Sequence, residues 1–95
     1  MGERALTKIA SAGNSDTAAY AVLWQQGCEL EIVSIAGRSN LVAKIDGNEF
    51  WGESALEVLG LVTIFKERGP SWRPTDQEVV RVTKFEEQGA IKGRE

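Results

Sequence analysis

The stretch LVAKIDGNEFWGESALEVLG, residues 41–60, contains a strand, a turn, a second strand and a helix start in immediate succession. Apolar side chains alternate with other residues over 41–46, which indicates a strand with one apolar face. Asp46–Gly47 is a dipeptide typical of two-residue hairpin turns, and the short strand 48–51 follows it. The stretch therefore predicts an antiparallel hairpin that leads directly into a helix.

Residues 28–36 have the clearest strand pattern upstream of this hairpin, and residues 37–40 supply a turn between the two. Both faces of strand 28–36 carry apolar side chains toward its end. Lys44 can lie opposite Glu29 and Glu31, which would be an ordinary cross-strand charge pairing. The sequence thus predicts a three-stranded antiparallel β-meander with surplus apolar surface.

The helix that follows should run from about residue 55 to residue 68, because Ser54 and Glu57 have the spacing of a capping box. Most of its positions are apolar, so we expect it to be buried on nearly all sides, at the centre of the core. Gly60 lies inside this helix, where glycine costs about 1 kcal/mol relative to alanine. It is therefore expected to lie at a close packing contact.

Two helices are predicted before the meander. Residues 3–12 have one apolar stripe, and Gly13 is a natural end for a helix. Ser15 or Asp16 can cap a second helix over residues 17–26. The residues of 17–26 also fit the period of a strand, so this segment is predicted as either a helix or a strand.

The C-terminal part begins after Gly69, which is the expected end of the buried helix. Thr75 and Glu78 form a second capping box, so residues 78–85 are predicted to be helical. Their β-branched content also fits a strand, which leaves both alternatives open. Residues 88–95 are expected to form a frayed tail.

A chain of 95 residues with 42% hydrophobic and 26% charged residues is predicted to fold as one α+β domain. In chain order the predicted elements are two N-terminal helices, a three-stranded antiparallel β-meander, a buried central helix and a capped C-terminal helix. The single cysteine, Cys28, excludes a disulfide within the chain and suits a reducing, cytoplasmic location. No signal-peptide pattern or segment of transmembrane length is found, which also predicts a cytoplasmic protein.

The chain contains no histidine, and this restricts its chemistry more than any other feature. Catalysis by serine–histidine or cysteine–histidine pairs is excluded, and so are histidine-ligated metal sites. Asp46, Glu49 and Glu53 cluster near the end of the meander, but no pattern indicates a raised pKa for acid–base catalysis. The net charge of −3, without a basic run, argues against a nucleic-acid or membrane partner. The sequence therefore predicts a protein that is not an enzyme and uses no cofactor or metal.

Trp72 and Arg73 are the two residues of the stretch GPSWRPTDQE, 69–78, that helix ends and caps do not explain. The simplest expectation is that Trp72 folds back as a lid on the core edge and that Arg73 pairs with a surface carboxylate. Phe50 and Trp51 are adjacent in a strand, so they point to opposite faces and one of them is expected to be exposed. Phe50, Trp51, Trp72 and Arg73 are therefore the candidate residues for binding a ligand or a partner.

These features predict a small non-enzymatic interaction module that self-associates as a homodimer through its surplus apolar surface. A protein of another sequence is the further alternative to a second copy as the partner. The alternative function is a small-molecule binding domain with an aromatic pocket around Trp51 and Trp72. A binding domain should have a concave cavity between these tryptophans, whereas an interaction module should have a flat apolar patch.

Overall fold

The structure, a computed structural model of the chain, describes residue 9 and residues 14–92, with side chains described as far as residue 89. Its elements in chain order are α1 (Ser15–Gln25), β1 (Glu29–Ile35), β2 (Arg38–Ile45), β3 (Asn48–Gly52), α2 (Ala55–Arg68), a 3-10 turn (Gly69–Ser71) and α3 (Asp76–Lys92). The predicted α+β class is confirmed. The first predicted helix, 3–12, lies outside the described residues except at residue 9.

The three strands form one antiparallel sheet in the order β1–β2–β3, as the meander pattern predicts. Both hairpins close through two residues, Ala36–Gly37 and Asp46–Gly47, with φ angles of 53° and 79° in each turn. Positive φ at both central positions is the type I′ turn, whose twist matches that of the flanking strands. The first turn therefore lies at 36–37 rather than at 37–40, and β2 begins at Arg38.

The capping box of α3 forms in full, and that of α2 forms with one difference: the side chain of its glutamate bonds to the amide of Glu53, the residue before the N-cap. In α2, the Glu57 amide donates to Ser54 Oγ over 3.1 Å, and Glu57 Oε1 accepts a bond of 2.7 Å from the Glu53 amide. In α3, the Glu78 amide donates to Thr75 Oγ1 over 3.2 Å, and the Thr75 amide donates to Glu78 Oε1 over 2.9 Å. Because each cap satisfies backbone amides that the helix itself leaves free, these bonds define where the two helices begin.

The two segments that fit either a helix or a strand, 17–26 and 78–85, are both helical. After α1 the chain turns at Gly27, whose φ of 92° favours glycine. α3 continues past residue 88, where the sequence predicts a frayed tail, and ends at Lys92. Alanine content in the first segment and the cap of the second therefore outweigh the strand-like patterns.

The core lies between one face of the sheet and the helices α1 and α2. Its buried side chains are Ala19, Leu23, Cys28, Leu41, Ala43, Ala55, Val58 and Val62. Tyr20, Leu30, Ile45, Phe50 and Leu59 pack against them at the edges. Most of the buried side chains are small, so the core depends on close approach of the backbones.

α2 is buried along one side only, and the prediction that it is buried on nearly all sides is wrong. Ala55, Val58 and Val62 are buried, whereas Leu56 and Ile64 are exposed. α1 and the strands β2 and β3 pack against the buried side. The prediction counted the apolar side chains of the helix, but the described part of the chain has too few elements to cover them all.

Gly60 does not lie at a close contact, because a Cβ added there would meet nothing within 4 Å. The close approach is at Gly52, the last residue of β3. A Cβ at Gly52 would lie 3.0 Å from Val58 Cγ2 and 3.1 Å from Glu57 Cβ. The connection from β3 to α2 is short, so the end of the strand lies against the first turn of the helix.

Asp16 caps α2 rather than α1. Its Oδ1 accepts a hydrogen bond of 2.9 Å from the amide of Leu56, in the first turn of α2. The N-cap residue of α1 is Asn14, whose side chain makes no capping bond. A carboxylate at a helix N-terminus is stabilising because the free amides and the helix dipole both favour negative charge. Asp16 therefore joins two helix starts that are distant in sequence.

α3 is joined to the rest of the protein at its first turn. Arg68 Nη2 donates to Glu78 Oε1 over 2.7 Å, across the connector between α2 and α3. This bond, together with the bond from the Thr75 amide, lowers the pKa of Glu78 from 4.5 to about 2. The carboxylate is therefore charged at neutral pH, and the ion pair is formed.

Beyond that turn α3 is exposed to solvent. Of residues 75–89, all except Glu78 are exposed. Val79, Val82 and Phe85 lie at the spacing of an apolar helix face, but that face is not covered by the described residues, since Phe85 is 74% exposed and both valines are about half exposed. The capping box predicts that a helix forms there, but it carries no information about what the helix packs against.

Candidate functional site

A concavity of about 390 Å³, which we call the aromatic groove, lies between β3 and α2. It is lined by Asn48, Glu49, Phe50, Trp51, Leu61, Ile64, Phe65 and Trp72. Three of the four residues that the sequence singles out are therefore in its wall. Trp72 is brought there by the 3-10 turn that follows α2.

Phe50 and Trp51 border the aromatic groove from opposite faces of β3. The ring of Phe50 meets that of Phe65 edge to face, with centroids 5.6 Å apart, and this contact ties β3 to α2. Trp51 lies on the other face, where its Nε1 donates to Glu49 Oε1 over 3.0 Å. Both rings can border one groove because β3 is an edge strand of the sheet.

Trp72 is neither a buried lid nor a free surface ring, with 38% of the residue exposed. Arg73 stacks over it, with Cζ 4.8 Å from the ring centroid, in a cation–π contact. Among the described residues Arg73 forms no salt bridge, and the nearby carboxylate of Glu78 is paired with Arg68. The rim of the aromatic groove therefore has a guanidinium group beside Trp72.

A second concavity, the α1–β1 groove, lies at the other edge of the sheet and has a volume of about 540 Å³. Its lining residues are Thr17, Tyr20, Ala21, Trp24, Leu30, Glu31, Ile32 and Leu41, of which only Glu31 is charged. Trp24 is 61% exposed and Ile32 is 67% exposed. Sequence reasoning missed both residues. The signal that points to Ile32 is the apolar character of strand 28–36 on both faces; no local pattern points to Trp24.

The outer face of the sheet, opposite the helices, has one buried apolar side chain at its centre, that of Val42. Val42 is 1% exposed although it belongs to this face. Its register partners are Glu31 on β1 and Trp51 on β3. Lys44 Nζ lies 3.1 Å from Glu31 Oε1, which confirms the predicted cross-strand pair. Val42 therefore lies between two long side chains of the same face, Glu31 and Trp51.

Few described side chains are chemically reactive, and the cysteine and a candidate acid among them are buried or in an ion pair. Cys28 is buried, and desolvation raises the pKa of its thiol, which disfavours the nucleophilic thiolate at neutral pH. Glu53 Oε2 lies 3.3 Å from Arg38 Nη1 in a surface ion pair. Within residues 14–92, no group of three acidic or cysteine side chains is placed to hold a metal ion. No helix in the same range combines the length and the hydropathy needed to cross a bilayer.

Comparison of the chain with protein-family models, with curated proteins and with solved structures gives no match. Over residues 14–92 the architecture is two helices packed on one face of a three-stranded antiparallel meander, with a third helix that is mostly exposed. Its two grooves and its exposed helix are the surfaces from which a function can be argued.

Proposed function

We propose that the protein is a non-enzymatic interaction module that associates with a second copy of itself. The observation that carries this proposal is the α1–β1 groove with its open rim. Trp24 and Ile32 both line it, and each is more exposed than covered. Contiguous apolar surface of this kind on a small protein marks an interaction site.

The energetics favour association through these residues. Complete burial of a large apolar side chain stabilises an interface by about 1.5–3 kcal/mol. A two-fold dimer buries each contributing residue twice, once from each copy. Association itself costs at least about 4 kcal/mol in lost translational and rotational freedom, so we expect a dimer whose affinity is no tighter than roughly micromolar.

α3 supports the proposal independently of the α1–β1 groove. Val79, Val80, Val82 and Phe85 are all at least 49% exposed, so this helix has apolar side chains that the described part of the chain does not cover. An isolated helix of about this length is marginal in water, and valine is among the poorer helix formers. The ion pair between Arg68 and Glu78 is too exposed to stabilise the whole helix.

The proposal predicts that light scattering reports a dimer at high micromolar concentration and a monomer on dilution. Trp24→Ser should raise the dissociation constant roughly tenfold or more, because it removes a large apolar side chain from the interface. Gln25→Ser, at the exposed neighbouring position of α1, is the matched control and should leave the constant unchanged. A wild-type chain that stays monomeric at high micromolar concentration would contradict the proposal.

The aromatic groove favours a second candidate function, which is binding of a small aromatic anion. Its volume lies within the range of known ligand sites. Aromatic rings form its walls, and the Arg73 guanidinium beside Trp72 suits a negatively charged ligand.

The probe for this second candidate is anilinonaphthalene sulfonate, which combines aromatic rings with a sulfonate. We expect one probe molecule to bind per chain and Trp72→Ala to weaken its binding roughly tenfold. Trp24→Ala is the matched control, because it removes an exposed tryptophan from the other groove. Equal losses in the two variants, measured by fluorescence titration at low protein concentration, would show that the probe reports general apolar exposure and not this groove.

A further inference from the structure

We infer that two copies join by pairing β1 of one with β1 of the other, antiparallel across a two-fold axis at Ile32. The product is one continuous six-stranded sheet. This inference rests on the proposed self-association and assigns the surface through which it occurs. It follows from the free hydrogen-bonding groups of β1, from the symmetry of its register and from where its charges lie.

The free backbone groups of β1 are set by its hairpin with β2. In the turn at Ala36–Gly37, the flanking residues Ile35 and Arg38 are a hydrogen-bonded pair. Hydrogen-bonded and non-hydrogen-bonded pairs alternate along an antiparallel ladder. The backbone N–H and C=O groups of Leu30, Ile32 and Ser34 therefore point away from β2. No backbone hydrogen bond outside the helices and strands of the described residues uses these groups.

These groups are placed symmetrically about the middle of the strand. β1 spans Glu29–Ile35, so Ile32 is its central residue. Antiparallel pairing about Ile32 sets Ile32 opposite itself, Leu30 opposite Ser34, Glu31 opposite Val33 and Glu29 opposite Ile35. Leu30, Ile32 and Ser34, whose backbone groups point away from β2, then lie opposite one another. Each of their backbone N–H and C=O groups therefore obtains a hydrogen-bond partner in the second copy. A two-fold interface requires this self-complementarity.

The charges of β1 select this register over its neighbours. Each glutamate, Glu29 and Glu31, then lies opposite an aliphatic residue of the second copy. An axis at Glu31 would place that carboxylate directly opposite its own copy, and like charges at such positions are destabilising. An axis at Val33 would leave Glu29 and Leu30 without a partner strand. The register centred on Ile32 pairs the whole strand without a charge conflict.

The side chains at this edge also fit a second copy. Leu30 and Ile32 lie on the sheet face that α1 covers, and both line the α1–β1 groove with Trp24. Two-fold pairing keeps the helices of both copies on the same side of the sheet. Ile32 of the second copy then enters the space between β1 and α1. The exposed rings and aliphatic side chains of the two grooves meet across the axis.

β3, the other edge of the sheet, is less suited to self-pairing. It is five residues long, against seven in β1. By the same alternation, counted from the turn at Asp46–Gly47, only Glu49 and Trp51 point their backbone groups outward. A two-fold pairing there could use two hydrogen-bonded residue pairs, whereas β1 offers three.

The test is disulfide cross-linking of the full chain with Cys28→Ala as background, which leaves one introduced thiol. Ile32→Cys places two thiols at the axis, with Cα atoms about 5.5 Å apart, inside the range of about 4.4–6.8 Å that a disulfide spans. Ser34→Cys is the matched control, because Ser34 and its copy would lie about 14 Å apart. We expect mild oxidation to give covalent dimer from Ile32→Cys and none from Ser34→Cys.

Amide hydrogen exchange on the unmutated chain tests the same interface without any substitution. The amides of Leu30, Ile32 and Ser34 should exchange more slowly as protein concentration rises, while those of Glu49 and Trp51 on the other edge keep their rates. Fast, concentration-independent exchange at all three β1 amides would overturn the inference. If light scattering still shows a dimer, only this interface is wrong; if the chain is monomeric, the proposed function fails as well.

Discussion

We expect Leu23→Ala to lower the free energy of unfolding by about 3–4 kcal/mol. Leu23 is fully buried where α1 meets α2 and β2, and with Leu41 it is the largest side chain of the core cluster. Its neighbours include Ala19, Ala43 and Ala55, which are too short to extend into the space that the leucine would leave. The cavity therefore persists, and its cost adds to the lost transfer free energy.

Urea unfolding, performed below the concentration at which the chain associates, measures this loss. Gln25→Ala is the control on the same helix, where an exposed side chain changes stability by no more than about 0.5 kcal/mol. A small domain has roughly 5–10 kcal/mol of stability in total, so Leu23→Ala should leave a marginal fold. Equal midpoints and slopes for the two variants would mean that Leu23 is not a core residue.

The second large effect concerns Gly52, which packs against α2, and Gly60, which lies inside α2. Substitution should lower the free energy of unfolding at Gly52 and raise it at Gly60. Gly52→Val is expected to destabilise by about 2 kcal/mol through overpacking. Its first added carbon would lie 3.1 Å from Glu57 Cβ and also 3.1 Å from Glu57 Oε1. That oxygen accepts the hydrogen bond from the Glu53 amide, so the substitution strains the helix cap as well as the packing.

Gly60→Ala should instead stabilise by roughly 0.5–1 kcal/mol, because alanine is the better helix former and a Cβ there meets nothing within 4 Å. Strand propensity alone would rank valine above glycine at position 52. The unfolding midpoints of Gly52→Val and Gly60→Ala, compared with that of the wild type, show whether packing or intrinsic propensity determines the effect at each position. A stabilised Gly52→Val would show that β3 and α2 are not in close contact.

The local structure of this chain could be predicted from short patterns. Asp46–Gly47 defines one hairpin, and Ser54 with Glu57 defines the start of α2, because turns and caps depend on the backbone angles and hydrogen bonds of a few neighbouring residues. The meander of three antiparallel strands follows from these signals and from alternation within each strand.

The candidate site could be predicted in part. The sequence singles out Phe50 and Trp51 as adjacent aromatics of one strand and Trp72 as an aromatic that helix ends and caps do not explain, and the structure places all three around one groove. Trp24 and Ile32 were missed, because a periodic apolar pattern predicts an inward face and cannot show that the covering layer ends before it reaches them. Arg73 has an aromatic ring rather than a carboxylate as its partner, and no local pattern distinguishes the two.

The sequence by itself determined the order of the described elements, the antiparallel meander and the first residues of β3 and α2. It left residues 17–26 and 78–85 open between helix and strand. Only the tertiary structure decided which apolar faces are covered. Asp16 caps α2 across the fold, Gly52 rather than Gly60 lies at the close contact, and one side of α2 is exposed. Secondary structure depends on interactions between near neighbours in the chain, whereas burial depends on how many other elements are available to cover each face. In the described part of the chain, one sheet and two packed helices leave β1, the aromatic groove and α3 at the surface.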